Sequence, residues 1–272
     1  MKLKKWMSFP YILWMAMFII IPLFIIIYYG FTAKGGGITF DNLRLIMDPI
    51  NRRALWLSLC LSIVSTIICL ILAYPLALIL HSMKLKNNSI IVMIFILPMW
   101  MNFLLRTLAW QNILEKTGVI NTVLNFFHLP TLNIINTPSA IVFGMVYNFL
   151  PFMILPIYNV LIKISEDTTN AARDLGANSV QTFIKIILPL SLPGVISGIT
   201  MVFVPSLTTF VISDILGGSK VVLIGNVIEQ QFKTINNWHT GSGLSLVLML
   251  FILISMAILA KYDKESEGKN VW

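Results

Sequence analysis

Six stretches of this chain are apolar for long enough to cross about 30 Å of hydrocarbon, and that property fixes most of what the chain can become. They run from Phe9 to Phe31, Ala54 to Leu80, Ser89 to Trp110, Ser139 to Ile162, Ile187 to Leu216 and Leu244 to Ala260. Lipid offers no water to satisfy backbone N–H and C=O groups, so runs of this length must bond internally as helices. Composition agrees: charged residues are 11% of 272, against about 25% in soluble domains, too few to cover a water-soluble globule. Soluble, disordered, collagen-like and disulfide-scaffold classes are excluded. The expected fold is all-α and integral to the membrane, a single transmembrane domain over 1–272 with no internal repeat and no soluble domain.

An even number of spans puts both termini on one side. With the N-terminus inside, eleven Lys and Arg fall in inner segments and seven in outer ones, with Arg106 inside the third span, which favours N-in and C-in. The formal net charge of +8 then reports loop topology rather than a nucleic-acid partner. Lys2, Lys4 and Lys5 ahead of an apolar run mimic a signal peptide, but the run is too long and has no A-x-A exit, so it reads as a retained span. Cys60 and Cys69 lie nine residues apart on opposite helical faces, and His81, His128 and His239 are scattered, so no disulfide and no metal site is expected. Pro22, Pro75, Pro98, Pro151, Pro156, Pro189, Pro193 and Pro205 fall in or beside spans, where they kink helices or merely follow membrane composition.

The inner loop 163–187 carries the strongest local pattern. Asp167 or Thr168 can cap a first short helix, Gly176 can end it in the left-handed conformation, and Asn178 or Ser179 can cap a second. Val180, Phe183, Ile184 and Ile187 recur at helical spacing in that second helix. A helix–Gly–helix elbow, held by Pro189 and Pro193, is a shape another protein can grip.

Ala171-Ala172, Gly176 and Ile186-x-Leu188-Pro189 resemble the coupling motif of ABC-importer permeases, E-A-A-x3-G-x9-I-x-L-P. The motif's leading Glu is Asn170 here, and Glu166 lies one turn earlier on the same face. The resemblance extends to A-Y-P-L-A around Pro75, L-P-M-W-M-N-F-L-L-R from Leu97, V-Y-N-F-L-P-F-M from Val146, S-D-I-L-G-G from Ser213 and L-I-G-N-V-I-E-Q-Q-F from Leu223, all similar to the B-type permeases of spermidine/putrescine importers. It implies a type I importer permease (MetI-like) fold and a non-catalytic, pore-forming subunit. It further implies a second, different permease subunit, two cytoplasmic ABC ATPases that hold the ATP and Mg, and an extracytoplasmic polyamine-binding protein, all at the cell (inner) membrane. By the resemblance Asn170, Ala171, Ala172, Asp174, Gly176, Ile186, Leu188 and Pro189 would meet the ATPase, and Asn226, Glu229 and Gln230 the binding protein.

Only Asp214 and Arg106 are charged within the spans, and intramembrane ionisable groups are functional candidates by default. Helical spacing puts Ser206, Phe210, Ser213 and Asp214 on one polar and aromatic stripe, suited to ammonium groups, or else Asp214 merely ends the helix before Gly217-Gly218. Asn102, Arg106 and Trp110 share a face, where Arg106 pairs with a carboxylate such as Asp214, orders an outer gate, or snorkels. Trp100, Tyr147 and Asn148 line a path or pack the core. No G-x4-G-K-[ST] occurs, so energy must come from another chain. An ABC permease for another small solute and a proton-coupled secondary transporter remain as alternatives; the second leaves the elbow without a purpose.

Overall fold

The computed structural model of the chain describes residues 9–83 and 97–269. These residues are almost entirely helical, with one isolated bridge between Thr32 and Ile38 in place of any sheet. Among the described residues, five helices are long and apolar enough to cross a membrane: α1 (Pro10–Phe31), α3 (Pro49–Ser82), α6 (Pro138–Leu161), α8 (Ser179–Thr208) and α10 (Trp238–Lys269), of which Trp238–Lys261 is the apolar part. Shorter helices are α2 (Asp41–Arg44), α4 (Phe103–Leu114), α5 (Val119–Phe126), α7 (Glu166–Asp174) and α9 (Ile224–Lys233).

The predicted third span differs from a plain helix. Residues 89–96 lie outside the described residues, and the rest is a 3-10 turn, Leu97–Trp100, followed by α4. Asn102 is the N-cap of α4: its Oδ1 accepts from the Leu104 and Leu105 amides at 2.9 and 3.2 Å. A residue that bonds the backbone this way starts a new helix.

The chain forms two compact units. In the first, Met1–Ala54 with Val227–Leu253, the end of α1 is tied down by two side chains. Asn42 Nδ2 donates to the carbonyls of Gly30 and Thr32 at 3.2 and 2.9 Å, and His239 Nδ1 lies 2.6 Å from Thr32 O. A helix ends with unsatisfied carbonyls, and these donors supply what the next turn would have given. Tyr29 closes the cluster with an edge-on contact to the His239 ring.

In the second unit, Leu55–Asn226 with Ile254–Trp272, α3, α6 and α8 supply most of the core. One face of α3 is built from small residues, Ser58, Ser62, Ser65, Cys69, Ala73 and Ala77, all fully buried. Small side chains let membrane helices approach closely, because packing replaces the hydrophobic drive that lipid cannot give. Ser65 and Cys69 contact Met145 Sδ and Val146 O of α6, and Tyr74 Oη bonds Ser191 Oγ of α8 at 2.7 Å. Between α6 and α8 the backbones nearly touch: a Cβ on Gly194 would lie 2.8 Å from Pro156 O.

Prolines are absorbed rather than used as breaks. Pro75 sits inside α3, Pro151 and Pro156 inside α6, and Pro193 and Pro205 inside α8. The second elbow helix, expected to be separate, instead runs into the fifth span through a π turn at Phe183–Ile187, just before Pro189. A π turn widens the ladder where the proline ring would meet the preceding turn, so the helix continues. A second π turn, Ala16–Ile20, stands in the same relation to Pro22.

Candidate functional site

The elbow forms for local reasons. Ser165, not Asp167 or Thr168, caps α7: its Oγ accepts from Thr168 N at 3.3 Å, which leaves Glu166 and Asp167 in the first turn, where the helix dipole favours them. Gly176 has φ +86, and the Gly176 and Ala177 amides donate to Arg173 O and Ala172 O at 2.8 and 3.0 Å. That pair of bonds is the Schellman ending, which needs a left-handed residue at this position. Asn178 and Gln181 then cap α8 reciprocally, with bonds of 2.8 and 3.0 Å.

The two arms of the elbow and the end of α3 line an open cavity of about 530 Å³. Leu78, Ile79, Phe183 and Ile187 give it an apolar wall, and His81, Glu166, Asn170 and Arg173 a polar one. Asn170 and Glu166 therefore share one face, as their spacing predicts. Asn170, Ala171, Asp174 and Gly176 are exposed, Ala172 is buried beneath them, and Ile186, Leu188 and Pro189 are half-buried in the root of α8. Leu175, 89% exposed at the tip, escaped the sequence reading, although a Leu before the terminating glycine was its signal.

The second locus is a break in the predicted fifth span. Expected to run to Leu216, the helix ends at Thr208; Thr209 is extended, and a π turn, Ser213–Gly217, follows. The expected stripe is therefore divided: Ser206 and Ser213 are fully buried, Phe210 is half-buried and Asp214 is exposed. Asn226, placed by the sequence reading on an outer contact surface, is instead buried at 5% exposure. Its Oδ1 accepts from Leu223 N at 2.9 Å and from Ser213 Oγ, and its Nδ2 donates to Phe210 O at 3.1 Å and to Asp214 Oδ1. Ser58 Oγ accepts from Ile224 N at 2.9 Å, so α3 joins the same knot. Gly225 packs against the freed carbonyls of Thr208 and Thr209, where a Cβ would lie 2.9 Å from each.

Nearby residues sort into packed and open. Arg106 is buried at 7% exposure, with Cζ 5.6 Å from the centre of the Tyr147 ring, and Trp110 meets the same ring edge-on at 5.0 Å. Asn148 Nδ2 donates to Gly144 O at 2.8 Å, while its buried Oδ1 has no hydrogen-bond partner among the described residues. Trp100 is 74% exposed. On α9, Gln230 is exposed and Glu229 is half-buried and paired with Lys233 at 2.8 Å.

Residues 2–265 match the family model described as the binding-protein-dependent transport system inner membrane component. The chain belongs to that family. This transport-system component is 36% identical over 260 residues to the spermidine/putrescine transport system permease protein PotB of Haemophilus influenzae, covering 92% of this chain and 91% of the relative. Its fold matches a chain of a bacterial ABC transporter that imports the acidic polysaccharide alginate, with a TM-score of 0.82, 18% identity, and 97% and 95% of the two chains covered. A second structure, the alginate transporter with a pentasaccharide-bound periplasmic protein, matches with a TM-score of 0.78 and 15% identity over 94% and 92% of the chains. The component is thus a multi-pass membrane protein with the importer-permease fold, related to permease subunits of ABC transporters.

Proposed function

We propose that this chain is the pore-forming permease subunit of an ATP-driven polyamine importer in the cytoplasmic (inner) membrane, with both termini inside. Its partners are a second permease subunit, two ATPases that bind ATP and Mg, and an extracytoplasmic binding protein that delivers spermidine or putrescine. The observation that carries this reading is the elbow of α7 and α8, which presents the motif Ala171 to Pro189 in a chain 36% identical to a spermidine/putrescine permease. ATP binding moves the elbow, and because α8 is unbroken from Ser179 to Thr208, the movement reaches the opposite end of the span.

Asn170 replaces the acidic residue usual at the head of the motif, and Glu166 on the same face supplies the carboxylate. The exposed Leu175 offers the ATPase an apolar knob. Asp214 attracts the cationic substrate, while the exposed Trp100 offers an aromatic face worth about 0.5–2 kcal/mol per ammonium contact. Arg106, held against the Tyr147 ring, belongs to the wall rather than to the cation's path.

Labelled spermidine uptake is measured in cells with and without the gene, in a host lacking other polyamine systems, with ATP depletion as control. Uptake that needs both the gene and ATP is the expected result. Unchanged uptake discards the substrate class, and gene-dependent uptake that survives ATP depletion discards the ATP-driven mechanism.

A further inference from the structure

Asn226 uses its whole hydrogen-bonding capacity at one point of the fold. The Leu223 amide can only donate and the Phe210 carbonyl can only accept, so their bonds fix which end of the side chain is oxygen and which is nitrogen. The group that faces Asp214 Oδ1 is therefore the NH2, a donor aimed at a carboxylate from a buried, immobile side chain. Asp214 lies at the start of a π turn just past a helix break, and its amide donates to Phe210 O at 2.9 Å. A fixed donor beside a carboxylate favours the rotamer that meets it.

Building on the polyamine-path reading above, we propose that Asn226 is the positioning residue of Asp214: it holds the carboxylate in the orientation that receives a substrate ammonium. Ser58 provides the internal comparison. It ties α9 into the same knot through Ile224 N without touching Asp214.

The test measures KM and kcat for ATP-driven spermidine uptake by the complete transporter in proteoliposomes, for Asp214→Asn, Asn226→Ala, their combination and Ser58→Ala. Asp214→Asn and Asn226→Ala are each expected to raise KM, by about tenfold and about fivefold. The double variant is expected to match Asp214→Asn alone, because contacting residues that act as one unit do not add. Ser58→Ala is expected to lower thermal stability and leave KM unchanged. If the double variant multiplies the two effects, or if Ser58→Ala raises KM as Asn226→Ala does, the assignment is overturned and Asn226 only holds the fold together. Should Asn226→Ala fail to assemble, Asn226→Asp replaces it. That change keeps the side chain's shape and the oxygen that accepts from Leu223 N, removes the donor to Asp214, and must raise KM in the wild-type background but not with Asp214→Asn. A wild-type KM for Asp214→Asn overturns the path reading itself, whereas an effect of Asp214→Asn with none from Asn226→Ala overturns the positioning role alone.

Discussion

At Gly176 the backbone demands what a side chain resists. The residue sits at φ +86 with no heavy atom within 4 Å of a Cβ built on it, so the obstacle to substitution is conformational and not steric. Gly176→Ala is expected to weaken the elbow by about 1–2 kcal/mol, the usual cost of a left-handed L-residue. Gly176→Pro does more, because it forces φ near −65° and deletes the amide that bonds Arg173 O. Uptake assays with pull-down of the ATPase should rank wild type above Ala and Ala above Pro; equal uptake by all three would separate the elbow from energy coupling. The elbow was legible in the sequence because its causes are local: Ser165, Gly176, Asn178 and Gln181 each bond a near neighbour. Asn226 and His239 were not legible. The first bonds residues up to 16 positions away and the second a carbonyl 207 positions away, and no local pattern announces a partner at such distances.

Among elements, the α6–α8 seam leaves little room. A Cβ at Gly194 would sit 2.8 Å from Pro156 O and 3.1 Å from Ile157 Cα, and backbone atoms in the middle of a helix cannot step aside as a side chain can. Gly194→Val is therefore expected to lower the thermal midpoint of the purified protein, in line with about 1–3 kcal/mol for overpacking. Gly35→Ala, with nothing within 4 Å, is expected to leave it unchanged. Equal midpoints for both variants would show that the two helices lie further apart than this contact requires. Apolar length sufficed to find these spans in the sequence, but not their ends. The fifth stops at Thr208, beyond which Asn226 Nδ2 bonds the Phe210 carbonyl and Gly225 packs close to those of Thr208 and Thr209, contacts that hydropathy does not record. The predicted third span is capped at Asn102, whose side-chain oxygen the apolar pattern passes over.

For the whole molecule, the distribution of Lys and Arg predicts which end of each helix meets which compartment. With Cys60 and Cys69 replaced by Ala, a membrane-impermeant maleimide applied to intact cells should label Gln230→Cys and leave Leu175→Cys untouched until the membrane is opened. Both residues are exposed, so access and not burial decides the result. The reverse pattern would turn the chain over and place the elbow outside.

The unbroken helix from Ser179 to Thr208 has a mechanical consequence. At about 1.5 Å per residue, its 30 residues form a rod of roughly 45 Å. The close approach of that rod to α6, Gly194 against Pro156, lies near its midpoint, 15 residues from one end and 14 from the other. A beam pivoting on that contact has arms of nearly equal length. Any tilt about this fulcrum that carries the elbow end a few ångströms one way swings the end beside Thr208 a similar distance the opposite way, neither amplified nor lost.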